Sequence, residues 1–243
     1  MKNLVSGIAA SFVTFTCIPC RRILPAESFS DATWHIPLVA WFYWGMLAGV
    51  WSWLPGPLDF KILQVMVLPV VIGRVMHEDG LADSADGLFG GHTPEKRLAI
   101  MKDPQVGSFG VVTMVLYFLA YYLALKNIPE MDLIRVLGIV LPLSRFAAPL
   151  LAIALPYVRA DQSKAKAYLG TNRMLCLWSL LWTLPIGYFW THNSIYGLVG
   201  SAFALIGCGL IFHKKLGGVT GDCLGATIKC IELAGLWSFA FAY

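Results

Sequence analysis

Three aspartates, Asp79, Asp83 and Asp86, stand at i, i+4 and i+7 within Met76-His77-Glu78-Asp79-Gly80-Leu81-Ala82-Asp83-Ser84-Ala85-Asp86-Gly87. On an α-helix this spacing puts all three carboxylates on one face. Like charges stacked in this way repel by about 0.2–0.5 kcal/mol per pair, so a cation is expected to compensate them. Hard oxygen donors with no Cys or clustered His suit Mg²⁺ or Mn²⁺, held by a few carboxylates while substrate phosphates complete the octahedron. Asp79, Asp83, Asp86 and the adjacent Glu78 are therefore the candidate metal ligands, and the three aspartates are the candidate catalytic acids. A solvated, merely polar helix end is the plainer reading. Against it, four of the fourteen acidic residues of the chain fall within these nine positions.

Further along, Arg97 and Lys102-Asp103 precede Gly107-Ser108-Phe109-Gly110 at the mouth of an apolar stretch. Arg and Lys supply counter-charge for phosphates. Backbone N–H groups around Gly107, opening the next helix, form an anion site of the helix N-terminus type. Arg145 sits inside an apolar stretch, where a cation costs a few kcal/mol and usually faces a polar cavity. Either it pairs with a carboxylate such as Glu232, or it reaches substrate phosphate. Thr220-Gly221-Asp222-Cys223-Leu224-Gly225 opens the last apolar stretch, with Glu232 ten residues beyond Asp222. Arg97, Lys102, Asp103, Gly107, Arg145, Gly221, Asp222 and Glu232 are the candidate substrate contacts.

The elements that must position these groups are membrane helices. Of 243 residues, 58% are hydrophobic and only 13% charged, against about 25% charged in soluble domains. Mean hydropathy is +0.68, which argues against a soluble fold, a disordered chain, nucleic-acid binding through a basic surface and a disulfide-stapled secreted domain. Seven stretches approach the ~20 apolar residues of a span: approximately Trp34–Leu54, Ile62–Met76, Phe109–Leu125, Val136–Pro156, Met174–Trp190, Ser194–Phe212 and Leu224–Ala242. The expectation is a single all-α membrane bundle over residues 1–243, with the apolar Leu4–Ile18 stretch as a retained interfacial or partly inserted helix. Cys17-Ile18-Pro19-Cys20 lacks the partners that would complete a zinc site.

Alternating the seven stretches puts Lys2, Arg21, Arg22, Lys96, Arg97, Lys102, Arg159, Lys164, Lys166, Arg173, Lys214 and Lys215 on one side. Lys61, Lys126 and Arg135 fall on the other, a twelve-to-three split. The positive-inside rule then predicts a cytoplasmic N-terminus. Glu78, Asp79, Asp83, Asp86, Glu95, Asp103, Asp161 and Asp222 share the cation-rich side, so the chemically equipped face is expected to be cytoplasmic.

These residues resemble the adenosylcobinamide-GDP ribazoletransferase family, also called cobalamin or cobalamin 5'-phosphate synthase. The likeness covers nearly the whole chain and rests on three ordered motifs. They are His77-x-Asp79-Gly80-Leu81-Ala82-Asp83-x-x-Asp86-Gly87, the run from Arg97 through Lys102-Asp103 to Gly107 and Gly110, and Gly217-Gly218-x-Thr220-Gly221-Asp222-x-Leu224-Gly225-Ala226. The resemblance implies a multi-pass enzyme of the bacterial inner membrane that uses Mg²⁺ late in cobalamin nucleotide-loop assembly. Its substrates would be adenosylcobinamide-GDP and α-ribazole or the 5'-phosphate, its products GMP and adenosylcobalamin or the 5'-phosphate. A homo-oligomer, or an assembly with other enzymes of that pathway, is open. Two positions depart from the family pattern: Glu78 stands where an apolar residue is common, and Lys229 where an acidic one is frequent.

In the expected reaction Asp79 and Asp83 bind Mg²⁺, Asp86 is a third ligand or the base, Arg97, Lys102 and Arg145 bind phosphate, and Asp222 binds a second metal or a sugar hydroxyl. One rival is another Mg-dependent membrane enzyme. A CDP-alcohol phosphotransferase would need Arg where Asp83 stands; a prenyltransferase uses a comparable Asp cluster. Another is a transporter, which would carry ionisable groups along several mid-membrane helices, where only Arg145, Lys229 and Glu232 qualify.

Overall fold

The computed structural model describes residues 2–19, 24–29, 31–158 and 176–243. Ten α-helices occur among them: α1 (Lys2–Phe15), α2 (Ile36–Trp53), α3 (Leu58–Ile72), α4 (Met76–Gly90), α5 (Pro94–Ile100), α6 (Ser108–Asn127), α7 (Glu130–Ala154), α8 (Cys176–Thr183), α9 (Ser194–Leu216) and α10 (Gly221–Ala242). Three 3₁₀ turns join them, at Ala26–Phe29, Ala32–His35 and Leu184–Phe189. The fold is the expected all-α bundle, with no β-strand among the described residues and one isolated bridge, Tyr157 to Val219.

Helices α6, α7, α9 and α10, of 20, 25, 23 and 22 residues, are long and apolar enough to cross a membrane. At 1.5 Å per residue they run roughly 30–38 Å, enough for a hydrocarbon core of about 30 Å. Among the described residues the other three expected spans are shorter. The Trp34–Leu54 stretch becomes the 18-residue α2, whose Trp and Tyr side chains favour membrane interfaces. The second becomes the 15-residue α3, carrying Pro69 in its last turn. The fifth is broken: α8 ends at Thr183, and Pro185 sits in the 3₁₀ turn that follows. Met174, the charges at Arg21, Arg22, Arg159, Asp161, Lys164, Lys166 and Arg173, and Cys20 lie outside the described residues.

Helix α7 is the axis of the bundle, with α2 and α10 packed against it. Its most apolar window is 72% buried, against 28% for α6 and 22% for α9. The outward faces of those two peripheral helices carry Val111, Val115, Leu119, Phe203, Ile206 and Leu210 exposed. Such stripes would be costly in water and suit lipid.

The two ends of the bundle differ in chemistry. At one end Lys61 pairs with Glu130 (2.9 Å), Lys126 with Asp59 (2.9 Å) and Arg135 with Asp132 (3.0 Å), so the three cations expected there are each paired. The opposite end gathers α5, the start of α6, the end of α9 and the start of α10, and α4 rises between α6 and α10 to join them.

Candidate active site

Helix α4 begins after a backbone break. Arg74 and Val75 have φ of 53° and 62°, a left-handed pair that is costly for non-glycine residues and especially for β-branched Val. The break redirects the chain from α3 and brings the polar α4 against the N-terminal half of α10. Glycine makes the contact close: a Cβ on Gly80 would stand 2.8 Å from the Asp222 carbonyl oxygen, and one on Gly225 would stand 3.3 Å from His77 Cα. The first and third sequence motifs are thereby pressed together. Thr220 contributes as the N-cap of α10, its Oγ1 accepting from the Cys223 N–H at 3.3 Å.

Between α1, α4 and α10 lies a cavity of about 480 Å³. Asp79, Asp222 and Gly221 line it, along with His77 and Arg74. Asp79 is exposed and Asp222 half-buried, with its Oδ2 atom buried. The third wall comes from the end of α1, held in place by three contacts. Arg74 Nη2 donates to the Val13 carbonyl at 3.0 Å, Tyr43 OH donates to the Phe15 carbonyl at 2.6 Å, and the Cys17 N–H donates to the Ile72 carbonyl at 2.6 Å. Burial, reinforced by the nearby Arg145 charge, pushes the His77 imidazole down to about 3. The ring is therefore neutral at physiological pH.

Two members of the expected metal cluster are otherwise engaged. Asp86 is buried, and its two carboxylate oxygens accept from the Gly107 N–H at 2.8 Å and the Gly110 N–H at 2.9 Å. The carboxylate thus takes the helix N-terminal anion position of α6 that the sequence suggested for phosphate. A Cβ at either glycine would overlap the Asp86 carboxylate, which accounts for the glycine spacing. Asp86, expected as ligand or base, and Gly107, expected as a phosphate contact, are hydrogen-bond partners of each other here.

Glu78, also expected as a metal ligand, has a cation for a partner. It points into the bundle and pairs with Lys229 at 2.8 Å, while Lys229 also donates to Glu232 at 2.7 Å and Glu232 pairs with Arg145. The four side chains are only 1–6% exposed, two acids and two bases in one chain. Burial alone would raise the Glu78 carboxyl, but the Lys229 ammonium brings it down to about 2. Buried charges survive at such depth only when paired and hydrogen-bonded. Of the two readings open for Arg145, the carboxylate partner is the one realised.

Among the described residues no three His, Cys, Asp or Glu side chains converge as a metal cage. Asp83 is half-buried one turn beyond Asp79 and is absent from the cavity wall. Arg97 Nη1 donates to the Lys215 carbonyl at 2.9 Å and Lys215 Nζ donates to the Leu88 carbonyl at 3.2 Å. These cations brace the ends of α9 and α4, where carbonyl groups lack helical partners. Lys102 and Asp103 are exposed in the turn before α6, with Asp103 Oδ1 accepting from the Gln105 N–H at 3.0 Å. His77 and Arg74 were missed as site residues. His77 was visible inside the motif; Arg74 owes its place to the left-handed backbone, which no residue type there announces.

The chain matches the family described as cobalamin-5-phosphate synthase over residues 7–240. It is 35% identical over 242 residues to an adenosylcobinamide-GDP ribazoletransferase of Chlorobium phaeovibrioides, covering 95% of both chains. Similar proteins of the same description occur in Chlorobium chlorochromatii, 35% identical over 95% of this chain and 94% of that one, and in Vibrio cholerae, 32% identical over 93% and 89%. No solved structure matches the chain.

Proposed function

The chain belongs to the cobalamin-5-phosphate synthase family, and from that premise we propose that it joins adenosylcobinamide-GDP to α-ribazole, or to the 5'-phosphate, with release of GMP. This is the late, ring-closing step of cobalamin nucleotide-loop assembly. The observation that carries the reading is the meeting of Asp79 and Asp222, from two separate motifs, in the wall of one cavity.

A Mg²⁺ ion fits this donor set. Mg²⁺ is commonly held by one or two carboxylates plus substrate phosphates, without a complete protein cage. Asp79 and Asp222 would hold it, and it would neutralise charge on the diphosphate. The ribose hydroxyl oxygen of the acceptor forms a bond to the cobinamide-side phosphorus, and the bond from that phosphorus to the oxygen of GMP breaks. The hydroxyl proton passes to water, since Asp83 lies outside the cavity wall. Such transfers depend mainly on positioning and charge neutralisation, and the pairing of Asp86 with the start of α6 serves positioning. The polytopic apolar bundle supports a setting in the bacterial inner membrane, and the cation-rich loops support a cytoplasmic active face and N-terminus.

The test is conversion by the purified protein in lipid nanodiscs, with and without Mg²⁺. Product formed from adenosylcobinamide-GDP plus α-ribazole, with stoichiometric GMP, is the expected result. Absence of product from either acceptor form would overturn the reading. Flux of solute through liposomes holding the protein, without these precursors, would favour a transporter.

A further inference from the structure

The cavity beside Asp79 is too small for both substrates. At about 480 Å³ it lies at the low end of the range for small-molecule sites, roughly 300–1,000 Å³. A nucleoside fits that space; a corrin ring with its amide arms and adenosyl ligand does not. The question is then which nucleoside enters, the acceptor or the guanosine of the leaving group.

The walls discriminate between them. Most of the lining is apolar, Phe15, Phe29, Ile36 and Ile228 among it, while Asp79, Asp222, Arg74 and two threonines supply polar groups. A guanine ring needs partners for its carbonyl, ring N–H and exocyclic amine together, and each one stranded on the apolar residues costs about 1–3 kcal/mol. The dimethylbenzimidazole ring of α-ribazole has no exocyclic polar group and loses nothing there. Its ribose, by contrast, needs hydrogen-bond partners, which Asp79 and Asp222 supply.

A second observation points to a missing ligand. His77 lines the same cavity, is 8% exposed, and its Nε2 is buried without a hydrogen-bond partner. The Phe15 ring lies nearly parallel to it, with centroids 6.2 Å apart and planes 23° apart. A ligand hydroxyl meeting the edge of the ring at Nε2 would supply the partner that the protein does not.

We infer that this cavity is the acceptor subsite: the benzimidazole ring of the ribazole packs against Phe15, Phe29 and Ile228, the ribose faces His77, Asp79 and Asp222, and the corrinoid diphosphate docks from outside. The inference rests on the reaction proposed above and assigns its smaller substrate to a place. It also accounts for the anchoring of α1, since a wall tied to α3 and to Tyr43 is formed before ligand arrives and costs little ordering on binding.

The experiment measures α-ribazole binding to the purified, full-length protein without metal or corrinoid, through the fluorescence of the benzimidazole ring. Saturable binding that GMP does not displace is expected. Displacement by GMP at comparable concentration, or no saturable binding, would overturn the assignment. Val13→Trp, which fills the cavity from α1, and His77→Phe, which keeps the stack on Phe15 but removes the nitrogens, are then assayed in turnover. Each should raise KM for α-ribazole by about tenfold with KM for adenosylcobinamide-GDP changed by less than about twofold. The reverse pattern would place the other substrate in the cavity. Turnover by the wild type with no shift in either KM would sink the subsite and leave the reaction standing. Binding without any turnover would instead count against the reaction.

Discussion

The Glu78 carboxylate and the Lys229 ammonium lie 2.8 Å apart inside the bundle, each almost fully buried. These are the two positions at which the sequence is expected to depart from the family it resembles. The structure pairs them, so that each charge neutralises the other. Removing one partner strands a buried charge, a loss of about 3–5 kcal/mol. Lys229→Met should therefore lower the thermal unfolding temperature in detergent sharply, while Glu78→Leu/Lys229→Met should recover much of that loss. Strictly additive effects would show that the two groups are uncoupled.

Asp86 holds the start of α6 through the Gly107 and Gly110 N–H groups. Asp86→Ala should cost roughly 1–3 kcal/mol of stability, the range for charged hydrogen bonds and caps. Surviving enzyme should keep the Mg²⁺ half-saturation of the wild type. A shifted Mg²⁺ requirement would return Asp86 to the metal.

Asp79 and Asp222 should behave as a pair. Asp79→Asn and Asp222→Asn are each expected to lower GMP release by about a hundredfold or more, the scale seen when a charge-stabilising group is removed, and to raise the Mg²⁺ concentration needed for half-activity. Combining them should cost far less than the product of the single effects, because groups acting as a unit are non-additive. Wild-type Mg²⁺ dependence in either single variant would sink the assignment.

His77 sets a pH dependence with a definite sign. Its imidazole falls from the ordinary 6.5 to about 3 in the folded protein, so below 6.5 the unfolded chain binds the extra proton. Stability is fully present above 6.5 and declines as pH falls from 6.5 towards 3. At pH 5 the loss amounts to on the order of 2 kcal/mol. Unfolding temperatures at pH 7.5 and 5 should diverge less in His77→Gln than in the wild type; equal divergence would refute this.

A good part of the molecule is legible without coordinates. Scarce charge in an apolar chain announces a membrane bundle, and the cations separate its two ends. Residue type also marks Asp79 and Asp222 as carboxylates with metal-binding potential. What the pattern could not separate was one acid from the next. Asp79, Asp83 and Asp86 share a helix face by spacing, yet the first lines a cavity and the last is consumed by two backbone N–H groups. Helical periodicity states which way a side chain points, and only the neighbour it meets decides whether the charge is spent on the fold or left for a substrate.

The same division holds for the spans. Hydropathy located α6, α7, α9 and α10, because each is a continuous apolar run of sufficient length. Of the other three stretches, α2 runs 18 residues with many aromatic side chains, α3 carries Pro69 in its last turn, and the α8 segment breaks before Pro185. By itself, then, the sequence determined the solvent, the helical class and the inventory of reactive groups, all of which follow from composition and local periodicity. The tertiary structure decided the partners: Arg145 with Glu232, Glu78 with Lys229, and Asp86 with α6. Asp79 and Asp222 remain at the cavity because Gly80 and Gly225 let two helices approach closely enough to bring distant motifs into one wall.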